Sequence, residues 1–365
     1  MKRNNTNLAI CKAIAIILMC AGHAEGPNLL ATFIYLFHMP VFFIAAGYFF
    51  DKKYLQDPWT FCKKRFKGLY VPFVKWSLFF LVFHNLFFKI GLMNEHYGNW
   101  AGGVTHPYDG YQFCQRLVHI IFSMGGYDEF LAGAFWFFRA LLLSSIVFLV
   151  LYLLLHNRHR WLTHDTVPAL IAVLAVGFAW FKVANHLQII TVVQGGIREC
   201  WGVLFFSLGV LYRRHEKRIP EHWALTLLYA VILLIGASRG WQGMALKVEL
   251  HTVATLPFTG AIGFLMVHHI ASWLDRHEGI VKRFMVYCGN NTLYIYVWHI
   301  ISFKLVSALK IWYYGLDWGQ IGCHMVIHEN STTDLFWVLY TIVGTAVPLL
   351  GIWFARYARR LVISD

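Results

Sequence analysis

Residues 8–24 read LAICKAIAIILMCAGHA and residues 31–50 read ATFIYLFHMPVFFIAAGYFF, with only six residues between them. Each run approaches the roughly 20 mainly apolar residues that a helix needs to cross the hydrocarbon core of a bilayer. Two such runs joined by a short polar turn read as a membrane hairpin, and the remainder of the chain continues the pattern. Further apolar runs fall at 69–90, 134–155, 167–184, 197–212, 222–237, 252–274, 288–306 and 335–355. The runs at 197–212 and 222–237 are the short ones. Composition agrees. Of the 365 residues, 58% are hydrophobic and only 13% charged, against about a quarter in a soluble domain. That excludes a water-coated multidomain chain, and the wealth of aliphatic and aromatic residues excludes a disordered one.

The formal charge of +13 then has a membrane explanation and needs no nucleic acid. Lys2 and Arg3, the basic residues of 51–68, Arg158, Arg160, those of 213–221, Arg276, Lys282, Arg283, Arg356, Arg359 and Arg360 all fall on one side of the alternating loops. These are 20 of the 31 Lys and Arg, whereas the opposite loops hold only Arg116, Arg239, Lys247 and Lys310. The positive side of a membrane protein faces the cytoplasm. The expectation is an all-α, polytopic membrane helix bundle of about ten transmembrane helices, both termini cytoplasmic, forming a single domain over residues 1–365. A secretory signal peptide is the competing reading of 1–24. Lys12 inside the apolar run and the immediate start of the next run weigh against it.

Seven cysteines form no CxxC or Cys/His pattern, so no metal site is expected; a disulfide between Cys114 and Cys323 is open. The longest loop, about 91–133, is rich in Gly, Tyr, His and Trp and could line a site on the outer face. Ionisable groups within apolar runs are unfavourable in lipid and therefore mark candidate sites. Lys75, His84, Lys182, His186, His268 and His269 lie near run ends, where snorkelling accounts for them, and Lys304 is ambiguous. Lys12, His23, Arg139, Arg198, Glu199 and His299 are the stronger candidates. Lys12 and His23 are 11 positions apart, which on a helix returns to within about 20° of the same face and separates them by about 16 Å. A snorkelling lysine with a hydrogen-bonded histidine accounts for that spacing equally well. Arg198 and Glu199 are adjacent, so one helix does not face them at each other. His38 suits a structural cap, Pro40 an early helical turn, and Gly47 a close helix contact. Asn290 or Asn291 suits a helix cap. The run Lys63-Lys64-Arg65-Phe66-Lys67 suits an anionic lipid surface or a polyphosphate.

Taken together these segments resemble the membrane-bound acyltransferase family 3, which includes O-acetylases of bacterial surface polysaccharides. The family opens with a basic residue, ten residues, then histidine; here that is KAIAIILMCAGH, Lys12 to His23. FHMPVFFIAAGYFF (37–50) is similar to its Phe-x-Met-Pro-Leu-Phe-Phe-x-x-Ser-Gly-Tyr block. KKRFKGLYVPF (63–73), AFWFFRALLL (134–143), IRECWGVLFFSLGVLY (197–212) and YCGNNTLYIYVWH (287–299) follow in the family's order. Lys12 replaces the usual arginine, keeping the charge without the bidentate fork, Ala9 replaces a common acidic residue, and Ala46 replaces the serine of the second block. The resemblance implies a multi-pass protein of the bacterial inner membrane. Its partners would be the lipid bilayer, cytoplasmic acyl-CoA (acetyl-CoA foremost) as co-substrate, and a glycan or lipid-linked sugar whose hydroxyl accepts the acyl group. No permanently bound cofactor is implied. On this reading His23 is a general base; Lys12, Arg139, Arg198, Glu199 and His299 assist it, and Lys63, Lys64, Arg65 and Lys67 hold the donor's phosphates. A glycan or lipid transporter without chemistry is the competing class, though no internal repeat or matched pair of broken helices is evident.

Overall fold

In a computed structural model of the chain, the described residues are 6–24, 26–97, 106–126, 131–156, 158–187, 196–245, 248–326 and 334–363. Lys2, Arg3 and Lys247 of the charge pattern lie outside them. The helices run in the order α1 (Thr6–His23), α2 (Asn28–Tyr35), α3 (His38–Tyr48), α4 (Lys53–Gln56), α5 (Pro58–Arg65) and α6 (Val71–Lys89). Then come α7 (Gly110–Ser123), α8 (Trp136–Leu155), α9 (Thr166–Ala184), α10 (Ile197–His215) and α11 (Trp223–Ser238). The last four are α12 (Leu250–Asp275), α13 (Ile280–Asn290), α14 (Thr292–Tyr314) and α15 (Phe336–Ile363). No strand occurs among the described residues.

All ten apolar runs become helical, and among the described residues eight helical segments are long and apolar enough to span a membrane. The other two account for the difference from the expected ten. Helix α11 has only 16 residues. Helix α10 is long enough but carries Arg198 and Glu199 at its start and Arg213, Arg214 and His215 at its end. It is nevertheless an interior element, with Trp201, Phe205 and Phe206 fully buried.

Backbone contacts divide the chain into two compact units: Met1–Ala15, Leu29–Tyr70 and Phe138–Gly289, and Ile16–Asn28, Val71–Phe137 and Asn290–Asp365. In the first unit, helices approach at glycines. A Cβ on Gly47 of α3 would strike the Phe206 carbonyl of α10, and one on Gly209 of α10 would strike the Ile44 carbonyl of α3. Small residues let helices meet backbone to backbone where lipid supplies no hydrophobic drive. Gly289 meets the Ala9 carbonyl in the same way, so a larger side chain is excluded at the end of α13. The break between α2 and α3 is held by His38, whose Nδ1 bonds the Ile34 carbonyl at 2.9 Å. Pro40 falls in the first turn of α3, where its missing N–H is tolerated. A π-helical turn over Phe66–Tyr70 links α5 to α6 and carries the chain into Pro72. At the ends of α1 and α12, Asn7 bonds Ser272 at 2.6 Å and Thr6 bonds Asp275 at 2.7 Å.

In the second unit, α14 packs along α15, with Gly344 against the Phe303 ring and Ser307 Oγ 2.9 Å from the Tyr340 hydroxyl. Lys310, expected in an outer loop, instead lies inside α14 and forms a buried ion pair with Asp334 at 3.3 Å. The helix runs past residue 306 to Tyr314, so this cation is paired internally. Aromatic residues of α6 brace the other side: Trp76 meets Trp298 edge-on with ring centroids 5.2 Å apart. Helix α7, within the long loop, begins with a capping box formed by Asp109 and Gln112.

Several histidines expected to snorkel are internal instead. His84 is fully buried, stacks on Tyr108 at 3.7 Å between centroids, and bonds the His106 carbonyl at 2.7 Å. His268 bonds Tyr212 and Glu221, each at 2.9 Å, and His269 bonds Thr226 at 2.5 Å. A polar partner within reach makes the imidazole cheaper to bury than to extend toward water. No disulfide joins Cys114, which is exposed, to the half-buried Cys323.

Candidate active site

The second unit brings His23 and His299 together. His23 is the last residue of α1, and His299 stands two turns into α14. His23 Nδ1 lies 2.9 Å from His299 Nε2, with the rings stacked at 20° and centroids 5.2 Å apart. His299 Nδ1 lies 2.9 Å from the Tyr296 carbonyl and 3.2 Å from that of Ile295. A carbonyl only accepts, so His299 Nδ1 carries the proton and its Nε2 carries the lone pair. That lone pair in turn requires a donor, which assigns the proton of His23 to Nδ1 and leaves the His23 lone pair on Nε2. Two backbone carbonyls of α14 thus set the tautomer of a ring on another helix. A neutral imidazole with a lone pair of fixed direction is what a general base requires.

Lys304, ambiguous from sequence, is 5% exposed and ties a loop to this helix. Its Nζ donates to the Ile321 carbonyl at 2.8 Å and to the Cys323 carbonyl. The Tyr340 hydroxyl accepts from Val326 N–H at 3.2 Å, fixing the same loop from the other side. Asn94 donates to the Gly319 carbonyl at 2.8 Å, and Tyr97 to Asp317 at 2.7 Å, so the long loop also braces it. Held between these ties, His324 places its ring 6.5 Å from that of His23. Burial, then the neighbouring His23 and Lys304, push its pKa down to about 3, so the ring is neutral. Sequence reasoning missed His324. It lies in a loop with no periodicity, and only the ties from Lys304, Tyr340 and Asn94 show where it goes.

The other candidates behave differently. In the first unit, Arg139 of α8 and Glu199 of α10 form an ion pair at 3.2 Å, with side chains 5% and 12% exposed. The adjacent Ser144 hydroxyl bonds the Glu199 carbonyl at 3.0 Å. Arg198 points elsewhere and donates to the Met244 carbonyl at 3.1 Å, in keeping with the geometry of neighbours on one helix. Lys12, half-buried, falls in the first unit and His23 in the second, on a helix unbroken from Thr6 to His23. The basic run splits. Arg65 turns inward, donating to the Ala46 carbonyl at 3.2 Å and lying over the Phe61 and Phe206 rings. Lys63 lies over Trp59 at 5.1 Å, Lys64 bonds the Tyr54 hydroxyl at 3.2 Å, and these two and Lys67 are exposed. Asn291 precedes α14 without capping it through its side chain; its Oδ1 accepts from Arg356 at 2.8 Å. Among the described residues, no group of three or more His, Cys, Asp or Glu is placed to hold a metal ion.

Apolar helices of spanning length enclosing histidines and a paired charge define a multi-pass membrane protein. A family model described as an acyltransferase domain matches residues 5–357, essentially the whole chain, and the chain belongs to that family, acyltransferase family 3. It is a membrane acyltransferase. No curated protein and no solved structure matches it.

Proposed function

We propose that the chain moves an acyl group, acetyl in the simplest case, from cytoplasmic acyl-CoA to a hydroxyl of a cell-surface glycan or lipid-linked sugar, in the bacterial inner membrane. The observation that supports this reading is the relay from the α14 carbonyls through His299 to His23. His23 Nε2 takes the proton as the acceptor oxygen attacks the thioester carbonyl. The tetrahedral adduct collapses, the C–S bond breaks, and the thiolate leaves with that proton as CoA thiol. During the step His23 is an imidazolium, and its Nδ1–H bond to His299 strengthens as charge develops, which selectively favours the transition state. His299 is a positioning residue, because it reaches the chemistry through His23. Lys12 provides the one cation of α1 for the donor, and exposed Lys63, Lys64 and Lys67 attract its phosphates. Arg139, Glu199 and Arg198 satisfy protein groups, and we assign them to holding helices rather than to the oxyanion.

The test is incubation of membranes containing the protein with acetyl-CoA labelled in the acetyl group. Label appearing on glycan, with stoichiometric release of free CoA thiol, is the expected result. Movement of a glycan or lipid across the bilayer without CoA release overturns it in favour of transport.

A further inference from the structure

The first unit holds a second constellation that the mechanism does not use. Between α8 and α9 a cavity of about 730 Å³ is lined by His156, Arg158, His159, Arg160 and His164 with two neighbouring loop residues. Its rings are fixed before any ligand arrives. His156 and His164 stack at 4.3 Å between centroids, and the Tyr152 hydroxyl lies 2.8 Å from His164 Nδ1. Neighbouring Arg214 is neutralised by Asp165 at 2.7 Å, with His215 3.9 Å from the same carboxylate. Arg158 Nε donates to the Leu154 carbonyl at 3.2 Å, neither Arg158 nor Arg160 enters an ion pair among the described residues, and both are exposed. Burial first, then the nearby Lys52, His156 and Arg214, hold the His164 pKa below the ordinary imidazole value, against the opposing pull of Asp165. By the charge pattern this loop shares the cytoplasmic side with 51–68 and 213–221, and the Arg214–Asp165 ion pair ties its end to the last of these.

A basic loop that only marked topology would have no need of stacked imidazoles around a concavity. Two guanidinium groups and three imidazoles line that concavity, and guanidinium forks match the oxygens of a phosphomonoester more specifically than lysines do. We propose that the cavity lined by Arg158, Arg160, His156, His159 and His164 is a phosphomonoester-binding site, which takes the terminal phosphate of the nucleotide on the acyl donor. The assignment of that source rests on the acyl-CoA reading above. A membrane could supply the same chemistry as a phosphomonoester lipid headgroup, so the experiment separates the two.

The full-length protein in phosphatidylcholine nanodiscs is titrated with adenosine 3′,5′-bisphosphate. The R158A/R160A variant, altered at exposed loop positions, should bind it about tenfold or more weakly, while R158K/R160K, which keeps the charge but loses the forks, should fall between. The unfolding midpoint of both variants should equal that of the wild type. If the wild type ignores the bisphosphate but retains phosphatidic acid through native mass spectrometry, and R158A/R160A does not, the site stands and its source is the headgroup. Equal binding of both probes by all three proteins overturns the site. A wild type that binds the bisphosphate yet transfers nothing from acetyl-CoA overturns the enzymatic reading and not the site. Unchanged affinity together with an unchanged KM for acetyl-CoA in R158A/R160A overturns the site and not the enzyme.

Discussion

Two polar constellations inside apolar helices have opposite logic. Arg139 and Glu199 are opposite charges 3.2 Å apart that answer one another across two helices. His23 and His299 form a directed chain, from backbone carbonyl to Nδ1–H and from Nε2 to the next Nδ1–H. An ion pair buried in a helix bundle is neutral overall and holds its two helices in one arrangement, at the cost of desolvation. A tautomer chain fixes which ring nitrogen carries each proton. Depth and charge, which sequence reveals, are shared by both; the direction of the hydrogen bonds distinguishes them.

The sharpest way to break this contrast is at His23. Replacing it with Ala should reduce acyl transfer from labelled acetyl-CoA about 10²–10⁴-fold, the usual contribution of a positioned base, in protein that still unfolds cooperatively. Retained activity would remove His23 from the chemistry and leave the relay a structural pair.

Glu199→Ala tests the other side. It takes the carboxylate away from the Arg139 guanidinium, and should lower stability by about 3–5 kcal/mol in thermal or denaturant unfolding of the detergent-solubilised protein. A double replacement, Arg139→Met with Glu199→Leu, should recover most of that loss, because two apolar side chains leave no orphaned charge. If activity instead vanishes in the double variant while stability is restored, the pair belongs to the catalytic machinery.

His299 comes next in size. His299→Phe removes the acceptor for His23 Nδ1, and should reduce kcat by about 10²-fold with little change in KM, since substrate contact is not altered. His299→Gln keeps an acceptor oxygen near the same place and should restore part of the rate. Equal loss in both variants would mean that the second ring does something other than set the first.

How much of this was readable in the chain follows from the kind of information each feature carries. Helices over 8–24, 31–50 and 134–155 need only apolar length, and they were legible. The exception, α10, shows the limit: Arg198, Glu199, Arg213 and Arg214 make it too charged to count as a span, while Trp201 and Phe206 make it an interior helix. His23 and His299 were both marked by burial in apolar runs, but 275 residues separate them, and nothing in the sequence said they touch. Glu199 was marked too, without its partner. Arg65, grouped with three lysines by position alone, turns the opposite way because the aromatic rings of Phe61 and Phe206 accept its guanidinium. His324 carried no periodic signal, since loops are placed by the contacts that tie them.

The last effect concerns that loop histidine and is a matter of pH. In the folded protein His324 has its pKa pushed down to about 3, against an ordinary 6.5. Between those values the unfolded chain binds a proton that the folded chain refuses, so folding stability rises with pH across the window. The contribution is therefore fully present above 6.5 and fades as the solution is acidified toward 3, by at most about 1.4 kcal/mol per pH unit. His324→Gln replaces the ring with an amide that does not titrate, and should flatten the fall of the unfolding midpoint below pH 6.5 while leaving it unchanged near pH 8. Taking the difference between the two proteins cancels the titrating groups that His324 does not influence. Parallel curves for wild type and variant would mean that water reaches His324, and that the ties from Lys304 and Tyr340 do not hold the loop closed over His23.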